Sequence, residues 1–255
     1  MSAPPAIHQS SDAPINGKSG PSLTEHTVIL IGGRALANLF VLAVPVILAR
    51  IFSREEYGTY RLVYLIQASV QLFSEMGLTQ SLYYFIPRER DRRHAIMWQT
   101  FLLILVSAVV SLILLWGLKR PLSDLLNNRA LVGYLPYLAI YSFFTVASSF
   151  VEASLIAENR IKAVSYVFFV SNALNALLAV AAGMLYGSVL SVIYASIIWG
   201  ALRFIFAIFY MVSSYSFDKE ALSLRLLRTQ LGYSLPLGFS NFSFNVKDQL
   251  HKYFV

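Results

Sequence analysis

Long apolar segments are the feature that most constrains the fold of this chain. A helix needs about 20 residues to cross a bilayer, and six consecutive segments exceed that length, with a seventh beginning near Leu231. Only 13% of the residues are charged and 57% are hydrophobic, whereas a soluble domain carries roughly 25% charge. The sequence therefore predicts an all-α, polytopic membrane helix bundle. The six predicted spans are Thr27–Phe52, Leu62–Pro87, Ala95–Leu118, Leu131–Ala157, Ala163–Tyr186 and Val189–Ser213.

The remaining segments complete the predicted domain organisation. Residues 1–26 are rich in Ser, Pro, Ala and Gly, which is typical of a disordered tail. Residues 27–213 form the six-span unit, residues 214–230 a linker, and residues 231–255 a seventh span. The linker stretch Asp218–Arg228 is basic and amphipathic, so it lies on the membrane surface or begins the seventh helix. Because no polar tail follows that span, we expect a truncated frame or a fragment.

The distribution of charge predicts an orientation. The net charge is +7, and the basic residues lie in loops between spans rather than in one basic domain, which argues against nucleic-acid binding. Ten Lys and Arg residues fall on the side of the N-terminus and six on the other side, so we expect a cytoplasmic N-terminus. The absence of Cys and the scattering of four His residues give no pattern for a metal or a cofactor.

Polar residues inside the second span form the first candidate site. Gln67, Gln71 and Glu75 are spaced four residues apart, which places them on one helix face within an arc of about 80°. A polar face in a membrane helix avoids lipid, so it lines a cavity or forms hydrogen bonds to neighbouring helices. Both interpretations remain open from the sequence.

Further polar residues in other spans extend this candidate cavity. Arginines within spans can hold a phosphate through bidentate contacts, or can extend toward the lipid headgroups. Pro236 predicts a kink in the seventh span. Glu152 and Glu158 near the end of the fourth span are interpreted as interfacial residues. The additional candidates for the cavity are Arg34, Asn172, Asn175, Arg203, Asn241, Asn245, Lys247 and Asp248.

Enzyme motifs are missing from the sequence. No Walker loop, HExxH or GxSxG pattern occurs. The pair Glu55–Glu56 lies in a loop, where it is better suited to start the second helix than to act as an acid and a base. The sequence therefore favours a non-enzymatic membrane protein.

The first loop and the second span carry a resemblance to a known family. Leu48–Tyr60 reads LARIFSREEYGTY, and the second span continues through Met76–Leu82, reading MGLTQSL. This pattern resembles the opening of bacterial polysaccharide flippases of the O-antigen (Wzx-like) type, within the superfamily of multidrug, oligosaccharidyl-lipid and polysaccharide exporters. Leu235-Pro236 followed by Asp248 is similar to the start of the seventh helix in that family.

The resemblance implies one six-helix lobe plus the seventh helix of a two-lobe exporter. Such proteins move an undecaprenyl-diphosphate-linked oligosaccharide across the bacterial cytoplasmic membrane, with basic cavity residues at the diphosphate; Arg34, Arg203 and Lys247 are the candidates here. It further implies membrane lipids, polysaccharide polymerase and glycosyltransferases as partners. Because two lobes must rock against each other, one lobe alone is expected to be inactive.

Two other functions remain open, as does a purely structural membrane fragment without transport activity. A multidrug exporter of the same superfamily predicts an apolar cavity with an acidic pair, and Glu75 is the one deep acid that the sequence indicates. A membrane glycosyltransferase or ligase predicts a large external loop with catalytic residues, whereas the loop on that side, Lys119–Ala130, is short.

Overall fold

A computed structural model describes the backbone of residues 23–75, 77–217, 219 and 223–254, and the side chains of most residues between 32 and 240. Residues 1–22, which hold most of the predicted tail, lie outside this part of the chain.

The described chain is an all-α bundle, as predicted, and no strand occurs in the described ranges. Long apolar helices alternate with short helices at the ends of the bundle. In chain order the α-helices are α1 Leu23–Ile51, α2 Arg54–Glu75, α3 Leu78–Arg88, α4 Arg93–Gly117, α5 Lys119–Leu125, α6 Leu131–Ala147, α7 Phe150–Ala157, α8 Ile161–Tyr186, α9 Val189–Ser214 and α10 Leu224–Phe254.

Membrane-spanning helices account for most of the bundle. Four units within the described residues have the length and apolar composition to cross a bilayer: Arg90–Gly117, Leu131–Ala157, Ile161–Tyr186 and Val189–Ser214. A shorter apolar stretch, Asn38–Ile51, belongs to α1. These units correspond to the predicted third to sixth spans and part of the first.

The second predicted span differs most from its expectation. The sequence indicates one helix over Leu62–Pro87, but the structure divides this region into α2 and α3 at Gly77. Gly77 has a φ of +75°, the left-handed region that only glycine adopts readily, so the α-helix cannot continue through it. The polar residues of α2 consequently lie just before a break in the helix.

Helix bounds also differ at both ends of the six-span unit. α1 begins at Leu23, inside the predicted tail, and α10 begins at Leu224, inside the predicted linker. Residues 224–230 are therefore the first turns of the seventh helix, because their apolar positions continue the helix rather than forming a separate surface helix.

The loop before α2 is fixed by a reciprocal capping box. The backbone N–H of Ser53 donates to Glu56 Oε2 at 3.2 Å, and the backbone N–H of Glu56 donates to Ser53 Oγ at 3.2 Å. This arrangement satisfies two backbone donors at the helix start. The interpretation of the Glu55–Glu56 pair as a helix-start feature is confirmed for Glu56.

Two apolar clusters lie at opposite ends of the bundle. One contains Leu82, Ile96 and Phe150, and the other contains Leu48, Leu135 and Val192. α4 contributes its first half to one cluster and Leu115 to the other, so the clusters are separated along the helix axes. The first cluster lies beside the connections α3–α4 and α7–α8. We call the end of the bundle that holds the first cluster the basic end, because four arginines lie in or directly beside those connections: Arg90, Arg92, Arg93 and Arg160.

Candidate functional site

A polar cavity opens between α2, α6, α7, α8 and α9, at a level between the two apolar clusters. Its volume is about 350 Å³. The twelve lining residues include charged, amide, hydroxyl and aromatic side chains. They are Gln71, Glu75, Tyr141, Thr145, Ser149, Glu152, Phe168, Ser171, Asn172, Asn175, Trp199 and Arg203.

An ion pair forms one wall of this cavity. Arg203 on α9 donates from Nη2 to Glu152 Oε1 on α7 at 2.7 Å, and the Glu152 residue is only 8% exposed. A buried charge in a membrane bundle requires a partner, and each of these side chains provides it for the other. The interpretation of Glu152 as an interfacial residue is therefore wrong. α7 continues the span of α6 after a local distortion at Ser148–Ser149, and its Glu152 faces the bundle interior.

The predicted polar face of α2, which consists of Gln67, Gln71 and Glu75, is called the stripe below. Two of its residues form a second polar wall of the cavity. Gln71 Nε2 donates to Glu75 Oε1 at 3.0 Å, and both side chains are half-buried on α2. Their spacing of one helical turn makes this contact possible. The cavity therefore contains two carboxyl groups and, among the described lining residues, one guanidinium group.

Unsatisfied polar atoms lie in the same cavity. Asn175 Oδ1 and Ser149 Oγ are buried and have no hydrogen-bond partner within the described part of the chain. Buried polar atoms in native proteins are normally hydrogen-bonded to protein or water. These two oxygens therefore provide hydrogen-bonding capacity for water or for a polar ligand.

Gln67, the remaining residue of the stripe, has a different role. Its Nε2 donates to Thr145 Oγ1 at 2.9 Å, and its Oε1 accepts a hydrogen bond from the Ser142 hydroxyl. Gln67 is 5% exposed, so it joins α2 to α6 and does not line the cavity. The structure thus assigns the two open interpretations to different residues of one stripe: Gln67 connects helices, and Gln71 and Glu75 line a cavity.

Serines provide further polar contacts between α2 and α4. The hydroxyls of Ser74 and Ser111 are 2.5 Å apart, and Ser107 Oγ donates to the backbone oxygen of Ser74 at 2.6 Å. Small polar residues allow close helix packing in membranes. These contacts hold α2 next to α4 up to the break at Gly77.

The structure brings five of the eleven predicted site residues together, places Gln67 in a contact between helices, and leaves the other five unassigned. Asn172 and Asn175 line the cavity, as do Gln71, Glu75 and Arg203. Arg34 lies in α1 and four further candidates lie in α10, and the side chains of all five fall outside the described residues. Those four are Asn241, Asn245, Lys247 and Asp248.

Several cavity residues were missed by sequence reasoning. Tyr141, Ser149 and Trp199 resemble ordinary residues of apolar spans, and Glu152 lies within a few residues of a predicted span end. One signal was present: Glu152 precedes five further residues of the apolar span that ends at Ala157, so its distance from the polar loop exceeds one helical turn.

An apolar groove adjoins the polar cavity. Its volume is about 280 Å³, and it shares Glu152, Ser171, Trp199 and Arg203 with the cavity. The other lining residues are large and mostly apolar, and several of them are exposed on the outer surface of α8 and α9. These are Val151, Tyr166, Val167, Val170, Leu202 and Phe206.

At the basic end, a buried tyrosine lies close to the first apolar cluster. Tyr215 donates its hydroxyl to Glu158 Oε1 at 2.6 Å. Burial, together with this hydrogen bond and the neighbouring Tyr210, raises the pKa of Tyr215 well above its usual value. Tyr215 therefore remains a neutral donor, and Glu158 is tied to the end of α9.

Several solved structures have the same arrangement of helices as this chain. The chain aligns with a multidrug resistance MATE family transporter of the MOP superfamily in an outward-facing conformation, with a TM-score of 0.71. It aligns with a MATE protein in the straight conformation with a TM-score of 0.72. A MOP superfamily transporter from Pyrococcus furiosus, described as having a binding pocket of reverse polarity, gives a TM-score of 0.68.

These alignments show the fold alone, because sequence identity is 16% in each case. They cover 87–88% of this chain and 52–53% of the solved chains, so this chain spans about half the length of the transporters that it matches. This chain therefore shares the fold of these transporters over about half of their length.

The family follows from the sequence itself. The polysaccharide biosynthesis protein family matches residues 47–255. The chain belongs to this family, and the resemblance to polysaccharide flippases is confirmed. No curated protein matches the chain.

Proposed function

We propose that this chain forms one lobe of an exporter that moves a lipid-linked oligosaccharide across the bacterial cytoplasmic membrane. The family supports a role in polysaccharide biosynthesis, and the fold supports membrane transport. The lipid would be an undecaprenyl diphosphate, the N-terminus would be cytoplasmic, and glycosyltransferases and a polymerase would act before and after transport.

The observation that carries this proposal is the polar cavity inside the lobe. Asn172, Asn175 and Gln71 supply amide groups, and the side-chain oxygens of Asn175 and Ser149 have no partner within the described residues. Sugar hydroxyls both donate and accept hydrogen bonds, so such a wall can replace their water. A saccharide would otherwise lose its hydration in the bilayer.

The charge of the cavity favours the saccharide over the diphosphate as its occupant. Arg203 is already paired with Glu152, and Glu75 adds a second carboxyl group. A phosphate near these groups would compete with Glu152 for the guanidinium group and would be repelled by the carboxylates. We therefore revise the expected role of Arg203: it holds the cavity wall and does not by itself hold the diphosphate.

The adjoining apolar groove supports an amphipathic cargo. It meets the polar cavity at Trp199 and Arg203 and is lined on its outer side by exposed side chains such as Tyr166 and Leu202. We place these exposed apolar residues toward the lipid. A polar headgroup in the cavity and a hydrocarbon chain at the groove would each meet a surface of matching polarity.

A multidrug exporter is the second candidate function. Glu75 and Glu152 both line the cavity, which provides the acidic pair that such an exporter predicts and that the sequence alone did not indicate. Arg203 neutralises one of the two carboxylates, so the cavity offers a cationic drug less net negative charge than the pair suggests.

A two-cargo transport assay distinguishes these functions. The chain is isolated from its native membrane with any associated polypeptide and reconstituted into vesicles. An undecaprenyl-diphosphate saccharide with a reducible fluorophore on the sugar reports flipping through its reduction by external dithionite. Efflux of ethidium reports drug transport. We expect the wild-type protein to flip the saccharide. Asn172→Ala should lower the flipping rate by about tenfold or more, because each hydrogen bond lost to the cargo is worth about 1–2 kcal/mol.

Leu177→Ala is the matched control, because Leu177 lies on the same helix but is 65% exposed on its outer surface. This variant should flip the saccharide at the wild-type rate. Ethidium efflux without saccharide flipping would reject the proposal in favour of a multidrug exporter.

A further inference from the structure

A second polar cleft lies at the basic end of the bundle, apart from the cavity within the membrane. It has a volume of about 560 Å³ and is formed by the α3–α4 connection and the α7–α8 connection. Three of its eight lining residues are arginines, and one is an acid. The charged residues are Arg90, Arg93, Arg160 and Glu158.

Local backbone structure fixes these arginines on two facing loops. A single 3₁₀ turn over Arg90–Arg92 is closed by a hydrogen bond from the Arg92 N–H to the Glu89 oxygen at 3.1 Å. On the other side, Asn159 adopts a φ of +60°, and the Arg160 N–H donates to the Leu155 oxygen at 2.8 Å. Asn tolerates this left-handed conformation better than most residues. The reversal after α7 thus positions Arg160 in the cleft that Arg90 and Arg93 also line.

The one acidic residue in the cleft does not neutralise the three arginines. Glu158 accepts a hydrogen bond from Tyr215 at 2.6 Å, and its nearest approach to Arg160 is 3.8 Å. With three guanidinium groups and one carboxylate, the lining has a formal charge of +2. Two helix starts and two helix ends border the cleft, so helix dipoles largely cancel and the side chains determine its polarity.

The position of the cleft specifies which anion it can meet. Arg93 is the first residue of membrane helix α4, and Arg160 immediately precedes membrane helix α8. Side chains at the first residues of spanning helices lie at the level of the lipid headgroups. Guanidinium groups bind phosphate oxygens through paired hydrogen bonds.

We propose that this cleft is a binding site for the phosphate group of a membrane lipid. The phosphodiester of an anionic phospholipid and the diphosphate of a lipid-linked saccharide share this chemistry. The site goes beyond the proposed transport function, since it binds a headgroup at the surface whether or not cargo crosses. Together with the paired state of Arg203, it separates phosphate recognition at the surface from saccharide recognition in the cavity.

Lipid selectivity measured by electron spin resonance tests this proposal without any transport step. The full chain is reconstituted in phosphatidylcholine with spin-labelled phosphatidylglycerol or spin-labelled phosphatidylcholine, and the motionally restricted fraction is compared. We expect the protein to prefer the anionic lipid by at least roughly fivefold, the factor for a single basic residue at a surface. The triple variant Arg90→Gln/Arg93→Gln/Arg160→Gln should lose this preference.

Two further variants distinguish a built site from general surface charge. Lys119→Gln/Arg120→Gln/Arg129→Gln removes the same charge from the opposite end and should retain the preference. Arg90→Lys/Arg93→Lys/Arg160→Lys should restore part of it, since the charge returns without the paired hydrogen bonds. The proposal is overturned if the first glutamine variant keeps its selectivity, if both glutamine variants lose it equally, or if lysine restores none.

Competition distinguishes the sources of the phosphate. Undecaprenyl diphosphate that displaces labelled phosphatidylglycerol at a few mole per cent would identify the diphosphate lipid as the preferred ligand. If it competes no better than unlabelled phosphatidylglycerol, the cleft binds the general anionic lipid. Displacement by millimolar inorganic pyrophosphate alone, with no response to either lipid, would overturn a lipid site. None of these outcomes depends on flipping. The transport proposal is tested by the two-cargo assay, so its failure is distinguished from failure of the lipid site.

Discussion

At the scale of single residues, the ion pair between Arg203 and Glu152 sets the charge of one cavity wall. Its N–O distance is 2.7 Å, and the two side chains are 22% and 11% exposed. Removing one member of a buried pair leaves an uncompensated charge, whereas replacing both by apolar residues is often nearly neutral. The pair is therefore a structural element of the cavity wall as well as part of its polar surface.

A double-mutant comparison tests this role. Arg203→Met and Glu152→Leu should each lower the free energy of unfolding in detergent by about 3–5 kcal/mol, because each leaves a buried charge without its partner. The double variant should be more stable than either single variant. Denaturant unfolding of the three variants gives the coupling free energy between the two residues. If the loss of unfolding free energy in the double variant equals the sum of the two single losses, the pairing is contradicted.

Gln67 and Gln71 offer a second comparison within one helix face. Gln67→Leu removes both contacts to α6 and should lower the free energy of unfolding by about 1–3 kcal/mol. Gln71→Leu should leave that free energy within about 0.5 kcal/mol, since Gln71 is half-buried and its side chain is hydrogen-bonded to Glu75 on the same helix. Instead it should slow transport. Equal destabilisation by both substitutions would show that the whole stripe connects helices.

Residue spacing predicts this polar face, but it does not predict the separation of roles within it. The period of four identifies the shared face of Gln67, Gln71 and Glu75. Which residue meets Thr145 and which meets a cavity depends on where α6 crosses α2, and that crossing is set by distant packing. The role of Glu152 was missed for a related reason: its contact with Arg203 on α9 is a tertiary feature.

At the scale of elements, the break at Gly77 determines how the seventh helix meets the lobe. A β-carbon at Gly77 would lie 2.5 Å from the backbone oxygen of Ser234 and 2.8 Å from the backbone nitrogen of Gly238. α10 therefore approaches the α2–α3 junction closely enough for backbone contact. Buried Gln230 adds hydrogen bonds from Nε2 to Ser81 Oγ at 3.2 Å and to Thr100 Oγ1 at 2.5 Å.

Gly77→Ala should loosen α10 from the lobe. The left-handed backbone costs about 1–2 kcal/mol for an L-residue, and the clash with α10 backbone adds to this cost. Limited proteolysis of the 215–223 connection should become several-fold faster. Gly133→Ala is the control, because a β-carbon there meets nothing within 4 Å. Unchanged proteolysis of the Gly77 variant would contradict close docking of α10.

The sequence predicts these elements unevenly. Apolar segment length predicts the long helices α4, α8 and α9 well, and the Gly turn at 186–188 correctly separates two of them, with Gly187 at a φ of +58°. The α2–α3 break is harder to predict, because Gly77 lies in an apolar stretch where glycine also occurs inside intact membrane helices. The close approach of α10 to Gly77 is a tertiary contact that the sequence does not reveal.

At the scale of the whole molecule, a polar layer lies between two apolar clusters. The clusters provide apolar packing at both ends, and the polar cavity lies between them. This arrangement allows a lobe to keep its fold while it exposes a hydrophilic cavity. The chain spans about half the length of the solved transporters. How this lobe would meet a second lobe is therefore part of the proposed function.

The absence of cysteine from the sequence permits a direct measurement of the cavity. Asn172→Cys places one thiol in the polar cavity, and Leu177→Cys places one on the exposed apolar surface of the same helix. The protein is isolated from its native membrane with any associated polypeptide, reconstituted, and treated with a membrane-impermeant thiosulfonate. We expect the reagent to modify the cavity thiol faster than the lipid-facing one, because only the cavity admits water.

Protection of the cavity thiol by cargo tests the central claim most directly. An undecaprenyl-diphosphate-linked oligosaccharide should slow modification of Asn172→Cys by about tenfold when the cavity is nearly saturated, since the free fraction limits the rate. Undecaprenyl phosphate without sugar should give much weaker protection. Equal modification rates with and without the oligosaccharide would contradict the account that its headgroup occupies this cavity.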